Sequence, residues 1–557
     1  MRRRTWHWLT VLALTLATVV ACDPGAPAID ATTPDPTTAA VTPAMQTPPA
    51  ANLDIFDPAE AERVRSALEG AGYAVLPGVE ARLSDRPIDG GTEHVLTAWA
   101  LVAHPRVERL DLSRAEADAI LGDEVTAWEQ LDPGARALPL ALYVSTEAEA
   151  WYRREYGQTG GSRATFLPTE ALIARVAAEP GAVGLVPYEA PVLGVLALTI
   201  DGHDPYRDPA ATAPLADRRW VRADSEDEAS RLAALAGWAT VLTYDPAGIV
   251  ATGEHIPARC VQATLARVGY EAMFEDVRDL VTRADYAIAP WEPSIVDDEP
   301  TPCVLTFNLQ AAPEAAEAAA AAGFDLAFTV GNHLGDCWTG CGAPGAVLST
   351  VRTLQAAGLA TVGAGEDLAE ATAMHTEEID GVTFAFLAYD DIAREFYGAT
   401  DDYAGTNPLD LDRLAEEVRA AKAVADHVIV GFSWGVEYEA DPSSRQVEAS
   451  RIAMEAGASL IVGNHPHWVQ ATERIGDGMV LYALGNFVFD QNWSVETQQG
   501  LLVEAGFSRD RLLGVRLRPV MIRDWHRPEF VSPASPEGRA ILDQVWGATG
   551  RRPRAAD

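Results

Sequence analysis

Positive charge is scarce in this sequence, and lysine is almost missing from it. Lysine and arginine number 42 against 81 aspartates and glutamates, which gives a formal net charge of −39 at pH 7. Lys422 is the one lysine, so arginine supplies nearly every cation. A surface this acidic repels nucleic acid at long range, so we expect no nucleic-acid partner. General adaptation of secreted proteins would produce the same acidity.

Long apolar runs are missing beyond residues 1–22. There a basic start, Met1–Arg4, precedes the apolar segment Trp8–Val20, which is too short for a comfortable membrane span. The segment ends in Val-Val-Ala-Cys22, which resembles a bacterial lipobox. That resemblance implies an exported, extracytoplasmic protein, lipidated on Cys22 and anchored by the lipid to the bacterial cell membrane. A plain signal peptide cleaved near Ala21 is the alternative.

Cysteine is sparse as well. Besides Cys22 the chain has Cys260, Cys303, Cys337 and Cys341. An even number in an exported chain favours disulfides over a thiolate metal site. Cys337 and Cys341 flank a tight segment, so we predict that they pair with each other and that Cys260 pairs with Cys303. A zinc site built from the four cysteines is the alternative.

A phosphate-binding loop for nucleotides is also missing. Gly363-Ala-Gly365 has neither the lysine nor the third glycine that such loops use, and it is more simply a turn. We therefore expect no nucleotide cofactor and no direct use of ATP.

The length of 557 residues exceeds one ordinary core and predicts several domains. Composition and periodicity divide the chain into a signal peptide at 1–22, a disordered Pro-, Thr- and Ala-rich tether at 23–53, a smaller α/β domain at 54–236, a larger α/β domain at 237–525 and a polar tail at 526–557.

The region 54–236 alternates helices with short apolar strands. Asp57 and Ser113 stand where the N-caps of two helices are expected. The segments 101–131 and 168–187 resemble phosphate-binding-type periplasmic solute receptors. The resemblance implies an α/β receptor-like domain, which would bind a ligand or serve as a spacer or docking surface.

The region 237–525 repeats one pattern, in which a short apolar strand ends in glycine and polar side chains. The strand ends carry Glu292; Asn332, His333 and Asp336; Ser433 and Glu437; Asn464, His465 and His467; and Asn486 and Asp490. Such groups gather at the carboxyl edge of an α/β sheet. Neutral imidazole, carboxylate and amide oxygen are ligands of divalent first-row metals.

His465-Pro466-His467 is the most informative of these ends. In an extended strand end, alternate side chains point the same way, so we predict that both rings reach one ion. Two solvated loop histidines are the alternative.

The region resembles the CapA, or poly-γ-glutamate capsule-synthesis, family, which is similar to calcineurin-like metallophosphoesterases. The matching pieces are Gly323–Asp336, Ala357–Gly365, Trp434–Tyr438, Gly463–Gln470 and Leu484–Asp490. The resemblance implies a four-layer α/β/β/α sandwich with a metal-dependent site on the shared edge of two sheets.

The same resemblance implies roles for individual residues. The metal ligands would be Glu292, Asn332, His465 and His467. His333 would donate to the phosphoryl oxygen or leaving group, and Asp336 would orient the Gly-Asn-His turn. Metal-activated water attacking a phosphoester is the chemistry implied.

Three positions depart from the family pattern. The family's first strand ends in Gly-Asp, for which the nearest match is Gly248-Ile249, and isoleucine cannot ligate. Asp245 lies just upstream and Glu254-His255 downstream, and neither stands at the motif's position. Ser433 and Asn464 each replace a family histidine. These changes predict one divalent ion (Mn, Zn or Fe), weakly bound, or none.

Two functions remain open. The first is a capsule or exopolymer biosynthesis protein that acts as a metal-dependent phosphoester hydrolase, with an anionic polymer or phosphoester as substrate and capsule-assembly membrane proteins as partners. The second is a non-catalytic envelope scaffold with a degenerate metal site. A transport receptor would be a third, and it rests on 54–236 alone.

Overall fold

The computed structural model describes residues 49–55, 57–79, 81–157, 163–238, 244–296, 301–338 and 340–548. Several predictions fall on residues outside these ranges. They concern the signal peptide, Cys22, residues 23–48 of the tether, and residues 240–243 of a strand that the apolar run 240–244 predicts. The described residues from Ala50 onward belong to one compact unit. No helix among them is both long and apolar enough to cross a membrane.

The N-terminal part builds its own sheet. Its strands are β1 Ala50–Asp54, β2 Ala74–Val75, β3 Arg82–Ser84, β4 Thr92–Ala103, β5 Asp111–Leu112, β6 Ala141–Ser145, β7 Thr165–Leu167, β8 Ala182–Pro187, β9 Leu196–Ala197, β10 Thr199–Ile200 and β11 Ala216–Arg222. Its helices are α1 Pro58–Gly70, α2 Arg114–Leu121, α3 Glu149–Glu155, α4 Thr169–Ala178 and α5 Glu226–Ala236. Residues 50–53, predicted as tether, lie in β1, so that part of the prediction is wrong.

Local sequence explains where the first helices begin. The Asp57 carboxylate accepts from the amide of Ala59 at 2.8 Å, and the Ser113 hydroxyl accepts from the amide of Glu116 at 3.2 Å. These bonds satisfy amides that a helix start leaves unpaired. Both predicted N-caps are confirmed. Nine strands form the sheet in the order β2-β1-β3-β11-β4-β8-β6-β7, with β9 beside β4.

The C-terminal part holds the remaining elements. Its strands are β12 Ala247–Thr252, β13 Glu254–His255, β14 Tyr286–Pro290, β15 Ser294–Ile295, β16 Gln310–Ala311, β17 Leu326–Phe328, β18 Ala360–Val362, β19 Ala364–Gly365, β20 His375–Ile379, β21 Val382–Asp390, β22 Gly405–Thr406, β23 His427–Ser433, β24 Leu460–Asn464, β25 Thr472–Ile475, β26 Gly478–Leu481, β27 Asn486–Val488, β28 Gln499–Ser508, β29 Arg511–Arg523 and β30 Arg527–Phe530. Its helices are α6 Arg259–Val268, α7 Arg278–Arg283, α8 Pro313–Ala322, α9 Ala343–Ala357, α10 Leu368–Ala371, α11 Leu411–Lys422, α12 Ser444–Ala456 and α13 Pro536–Ala548.

Two large sheets pack face to face in this part. One has the order β18-β17-β14-β12-β28-β29-β30, and the other has the order β20-β21-β23-β24-β26-β25. Residues such as Ile249, Phe328, Phe384 and Leu460 from both sheets share one buried core. Apolar side chains from the two inner faces leave water together, which is the main stabilising contribution to such a pair.

Helices cover both outer faces. Val261 of α6 and Val347 of α9 pack in a core with Ala287 of β14, whereas Leu414 of α11 and Ala453 of α12 pack against the other sheet. The layers therefore run helix, sheet, sheet, helix. The predicted four-layer α/β/β/α sandwich, preceded by a smaller α/β part, is confirmed.

The two parts meet at β28 and β29. Tyr206 lies so close to Gly506 and Gly514 that a Cβ at either glycine would come within 2.5 and 2.1 Å of Tyr206 atoms. Arg516 of β29 is fully buried and donates two hydrogen bonds, of 2.7 and 3.0 Å, to the carboxylate of Asp204.

The end of the chain is more ordered than predicted. Residues 526–557 were expected to form a polar tail with one short helix. The helix is present as α13, but its Ile541 and Val545 are fully buried, and β30 pairs with β29. Arg539 of α13 donates to Glu108 at 2.8 Å. Up to Ala548 this segment is part of the folded unit, because one face of α13 is apolar enough to pack.

Candidate functional site

The candidate site lies at the carboxyl ends of parallel strands in the two facing sheets. β12, β14 and β17 run parallel in one sheet, and β21, β23 and β24 run parallel in the other. The polar residues at or just after these ends are Glu254, Glu292, Asn332, His333, Asp390, Ser433, Asn464 and His465. This edge is where α/β folds place their ligands.

Glu254 is the residue that sequence reasoning missed. Gly248 and Ile249 lie inside β12, and Ile249 points into the buried core between the sheets, so pairing them with the family's Gly-Asp was wrong. β12 ends at Thr252, and Gly253-Glu254 stands at its carboxyl end. A Cβ at Gly253 would lie 2.2 Å from the carbonyl oxygen of Gly485, so only glycine fits. The signal was present in the sequence as an acid following glycine after an apolar run.

Glu254 is buried, with 1% of its surface exposed, and holds the His-x-His segment. Its Oε1 accepts from the backbone amide of His465, and its Oε2 lies 2.7 Å from Nδ1 of His467. The amide oxygen of Asn486 lies 3.0 Å from the same Nδ1. Burial alone would lower the pKa of His467, but the adjacent Glu254 carboxylate outweighs it and raises that pKa.

The backbone at His465 and His467 differs from the predicted extended strand end. Their φ angles are 94° and 59°, in the left-handed region that non-glycine residues rarely adopt. The ring centroids are 5.9 Å apart. Such strain persists only when the surroundings enforce it, and it is frequent at functional sites.

Glu292 lies at the centre of the acidic groups. It follows β14, is 2% exposed, and packs so tightly on Gly331 that a Cβ there would come within 2.4 Å of its Oε2. Burial, and then the carboxylates of Glu254 and Asp390, raise the pKa of Glu292 well above its ordinary value. A cation beside Glu292 would favour its charged form.

Several buried oxygen and nitrogen atoms at this edge have no hydrogen-bond partner among the described residues. They are Oε1 of Glu292, Oδ1 of Asn332, Oγ of Ser433, Oδ1 of Asn464 and Nδ1 of His465. Burial, and then His467 and His333, lower the pKa of His465 well below its ordinary value, so the ring is neutral. Buried polar atoms are normally bonded, and a concentration of exceptions indicates a ligand site.

These atoms are of the kinds that divalent ions bind. Within the described ranges, no group of three or more His, Cys, Asp or Glu side chains could hold an ion. A site would therefore depend on the amide oxygens of Asn332 and Asn464 beside Glu292 and His465. The carboxylate contact at Nδ1 of His467 is the kind that orients a ligating ring whose other nitrogen faces the metal.

His333 and Asp336 form a pair beside this group. Nδ1 of His333 lies 2.7 Å from Oδ2 of Asp336, and the same oxygen accepts from the amide of Leu309 at 2.7 Å. Asp336 thus fixes the ring of His333, and it also donates its own amide to the carbonyl of His333 at 3.1 Å. The turn that begins at Gly331 is therefore held from both ends.

Both disulfides lie next to this pair. Cys260 bonds Cys303 and Cys337 bonds Cys341, so the predicted pairing is confirmed. The first secures the segment that contains Leu309, and the second follows directly after Asp336.

One of the predicted strand-end residues does not join the site. Asp490 is bound by the guanidinium of Arg259 and by the amide of Cys260, at 3.0 Å for the amide. Glu437 is exposed at the rim of the site, where its carboxylate contributes to the raised pKa values of Glu292 and His467. Asp490 therefore has a structural role, because both of its oxygens are already bonded.

Comparison with known proteins agrees with this architecture. Residues 248–491 match the sequence model of a family described as "Bacterial capsule synthesis protein PGA_cap". The chain is 31% identical over 270 residues to the "Capsule biosynthesis protein CapA" of Bacillus anthracis, a match that covers 47% of this chain and 63% of that protein. It is 28% identical over 274 residues to the "PGA biosynthesis protein CapA" of Bacillus subtilis, covering 49% of this chain and 70% of the other.

Similar solved structures are more distant. A phosphate transport receptor from Vibrio cholerae is 14% identical, with a TM-score of 0.24, and the match covers 34% of this chain and 93% of the receptor chain. The NAD nucleotidase of Haemophilus influenzae is 10% identical, with a TM-score of 0.32, and covers 56% and 64%. At these scores we draw nothing from them about activity. Residues 248–491, less than half of this chain, are thus similar to the bacterial capsule synthesis protein family.

Proposed function

We propose that this protein acts in the biosynthesis of a capsule or exopolymer of the poly-γ-glutamate type, and that its strand-edge site hydrolyses a phosphoester with one divalent ion. It would be exported and anchored outside the cytoplasm by a lipid on Cys22. The proposal is supported by the family, whose relatives carry names in capsule and PGA biosynthesis. The proposed activity rests on the buried oxygen and nitrogen atoms at the sheet edge that have no hydrogen-bond partner among the described residues.

The chain's own residues divide the work at such a site. Glu292, Asn332, Asn464 and His465 would hold the ion, and Glu254 would keep the ring of His467 in place. A bound divalent ion supplies a polarised phosphoryl oxygen and a water of lowered pKa.

His333 would hold a proton at Nε2 for the leaving-group oxygen. The contact between its Nδ1 and Asp336 fixes the orientation of the ring. Burial of the surrounding strand ends excludes water and strengthens these electrostatic contacts.

A second function is favoured by one group of observations. Ser433 replaces an imidazole with a hydroxyl, and two of the proposed ligands are neutral amides. A site with so little charge would bind metal weakly, and the protein would then be a non-catalytic scaffold that holds polymer at the envelope.

Metal content separates the two functions. We would purify the full chain and compare bound Mn, Zn and Fe in the wild type, in His465→Ala/His467→Ala, and in His375→Ala, which removes a histidine outside the site. About one ion per chain, lost in the double variant only, supports the hydrolase. Phosphodiester turnover that needs this ion and disappears in His333→Ala would establish it. No ion and no turnover in the wild type would leave the scaffold.

A further inference from the structure

Exposed apolar side chains are concentrated around the strand-edge site. Among the residues that the structure describes, 14 large apolar side chains are exposed, and eight of them lie on five short segments, at 304–307, 338, 396, 436 and 493–495. Single exposed apolar residues are normal on a protein surface, whereas a concentration of them indicates an interaction site. Six of these residues form what we call the apolar collar, namely Leu305, Phe307, Trp338, Phe396, Val436 and Trp493.

The loop that carries Leu305 and Phe307 is fixed beside the Gly-Asn-His turn. The disulfide at Cys303 holds it on one side, and on the other the amide of Leu309 donates to Asp336 at 2.7 Å. Leu305 and Phe307 are nevertheless 90% and 92% exposed. Because the loop is bonded on both sides, these two side chains remain in water in the free protein, at a free-energy cost that an apolar partner would remove.

Trp338 and Phe396 flank the same turn. Trp338 follows Asp336 by two positions and is 44% exposed. Phe396 is 75% exposed and precedes Tyr397, whose ring lies so close to Gly335 that a Cβ there would come within 2.8 Å of it. Both apolar side chains therefore belong to segments that adjoin the turn.

Val436 and Trp493 lie on the other side of the site. The ring centroid of Trp493 is 6.3 Å from that of Tyr438, which is 5.9 Å from that of His467. Val436 precedes Tyr438 by two positions and is exposed. The collar thus adjoins the site both at the Gly-Asn-His turn and at the His-x-His segment.

The position of the collar limits what can cover it. A folded protein that packed on both sides of the site would close it to a soluble substrate. A lipid surface, by contrast, would cover the collar and deliver the substrate together, because a phosphoester carried on a lipid lies at that surface. Apolar tips on separate loops insert between lipid headgroups, and Trp, Phe and Leu are residue types found at such interfaces.

We propose that the apolar collar docks on a neutral lipid surface and that the strand-edge site takes a phosphoester carried on a lipid of that surface. The choice of a phosphoester rests on the proposed function. Hydrolysis would break one phosphorus–oxygen ester bond, with water supplying an oxygen to phosphorus and a proton to the leaving alcohol. The surface is neutral because anionic headgroups repel a chain of net charge −39.

The first experiment measures cosedimentation of the protein with phosphatidylcholine vesicles. The protein begins at residue 23, so it lacks Cys22 and the apolar segment before it and retains the compact unit from Ala50 onward. Vesicles that also contain phosphatidylglycerol are the anionic comparison, and they should bind the protein no more tightly.

Leu305→Ser/Phe307→Ser should weaken vesicle binding about tenfold or more, because two side chains lose their transfer into the apolar part of the interface. Both positions are exposed, so the variant should fold, and thermal unfolding checks this. Leu76→Ser/Val424→Ser is the matched control, since these residues are 50% and 61% exposed and lie outside the collar. Val424 precedes β23 and therefore lies at the opposite edge of its sheet. This control should bind like the wild type.

The second experiment measures substrate preference in the presence of Mn²⁺. Hexadecyl p-nitrophenyl phosphate in phosphatidylcholine vesicles is compared with methyl p-nitrophenyl phosphate in solution. We expect the wild type to turn over the lipid ester with a kcat/KM about tenfold or more higher, because contacts remote from phosphorus contribute binding energy.

Each result bears on one part of the proposal. Wild-type protein that does not bind phosphatidylcholine, or a collar variant that binds it as well as the wild type does, would overturn the docking surface. Self-association that Leu305→Ser/Phe307→Ser abolishes, without vesicle binding, would assign the collar to a second copy of the chain. Equal kcat/KM for the two esters would overturn the lipid-borne substrate. Vesicle binding without turnover of either ester would support the collar and count against the proposed hydrolysis, so the two failures are distinguishable.

Discussion

Two buried clusters of acids in this molecule differ in the direction in which the protein shifts the pKa of an acid. Where the N-terminal part meets β28 and β29, Asp204 and Glu504 are bound by Arg516. Burial would raise the pKa of Asp204, but the charge of Arg516 outweighs it and lowers that pKa. At the strand edge, burial and neighbouring carboxylates raise the pKa of Glu292. The first cluster has its cation within the chain, whereas the second would, under the proposed function, gain stability from a bound ion.

The largest expected effect comes from breaking the complete cluster. Arg516→Met would leave Asp204 buried without its partner and Glu504 paired with Arg518 alone, and we expect a loss of about 3–5 kcal/mol in the free energy of unfolding. Denaturant titration measures it. Arg523→Gln, on the same strand but in a half-exposed pair with Glu537, is the control and should cost less than about 1 kcal/mol. A loss that small for Arg516→Met would mean that the cluster adds little.

Two disulfides support the segments near the strand edge, whereas ion pairs of Arg516 support the other cluster. The Cys260–Cys303 bond closes a separation of 43 residues, and the Cys337–Cys341 bond closes 4. Because a longer closed loop restricts the unfolded chain more, we expect Cys260→Ser/Cys303→Ser to cost about 2–4 kcal/mol. The equivalent double serine variant at 337 and 341 should cost much less. Equal losses from the two variants, measured by thermal unfolding, would contradict this reasoning.

A half-buried acid tests the comparison through pH. Burial, with Asp380 nearby, raises the pKa of Asp285 to about 7. A raised folded-state pKa gives stability that is present below the unfolded value near 4 and is lost as pH rises towards 7.

Asp285→Asn should therefore raise the free energy of unfolding by about 1–3 kcal/mol at pH 8 and change it little at pH 4. The amide oxygen can still accept from the amide of Gly248, which donates to Asp285 at 2.8 Å. Asp279→Asn, at an exposed position of α7, should have no such pH dependence. A stability gain of the same size at both pH values would rule out the titration of Asp285 as its cause.

The smallest effect concerns Glu292 itself. Without metal, Glu292→Gln should leave stability unchanged or raise it by up to about 1 kcal/mol, because it removes like-charge repulsion. Adding Mn²⁺ or Zn²⁺ should raise the melting temperature of the wild type and not that of the variant. Glu170→Gln, at an exposed position of α4 in the N-terminal part, should respond like the wild type. A variant stabilised by the ion as much as the wild type would remove Glu292 from the ligand set.

The fold of the C-terminal part could be predicted because each strand and its polar end are short, contiguous patterns. Glu292, Asn332 and His465 came from such patterns, and the structure brings them to one edge. Glu254 was missed because the earlier Gly248 offered a false match, and only the register of β12 shows where the strand ends. The positive φ angles at His465 and His467 go with contacts to Glu254, which lies more than 200 positions earlier in the chain. Local sequence patterns do not reveal contacts over such a separation.

The C-terminal segment was misjudged for a similar reason. From its composition, residues 526–557 were predicted to be a tail. The apolar face of α13 instead packs on residues from distant parts of the chain, and Gln544 of α13 donates to the carbonyl of Val469 at 2.6 Å. Contacts of this separation are decided by tertiary packing rather than by local periodicity.

The position of Arg516 has a consequence for the order in which the protein matures. Asp204 leaves the ribosome more than 300 residues before Arg516 does, and Glu108 precedes its partner Arg539 by more than 400. The N-terminal part therefore cannot complete its buried contacts while the rest of the chain is still being made. Domains usually fold as units during synthesis, N-terminal first. Here residues of the C-terminal part complete buried contacts of the N-terminal part. A truncated product would therefore leave the N-terminal part exposed to proteases.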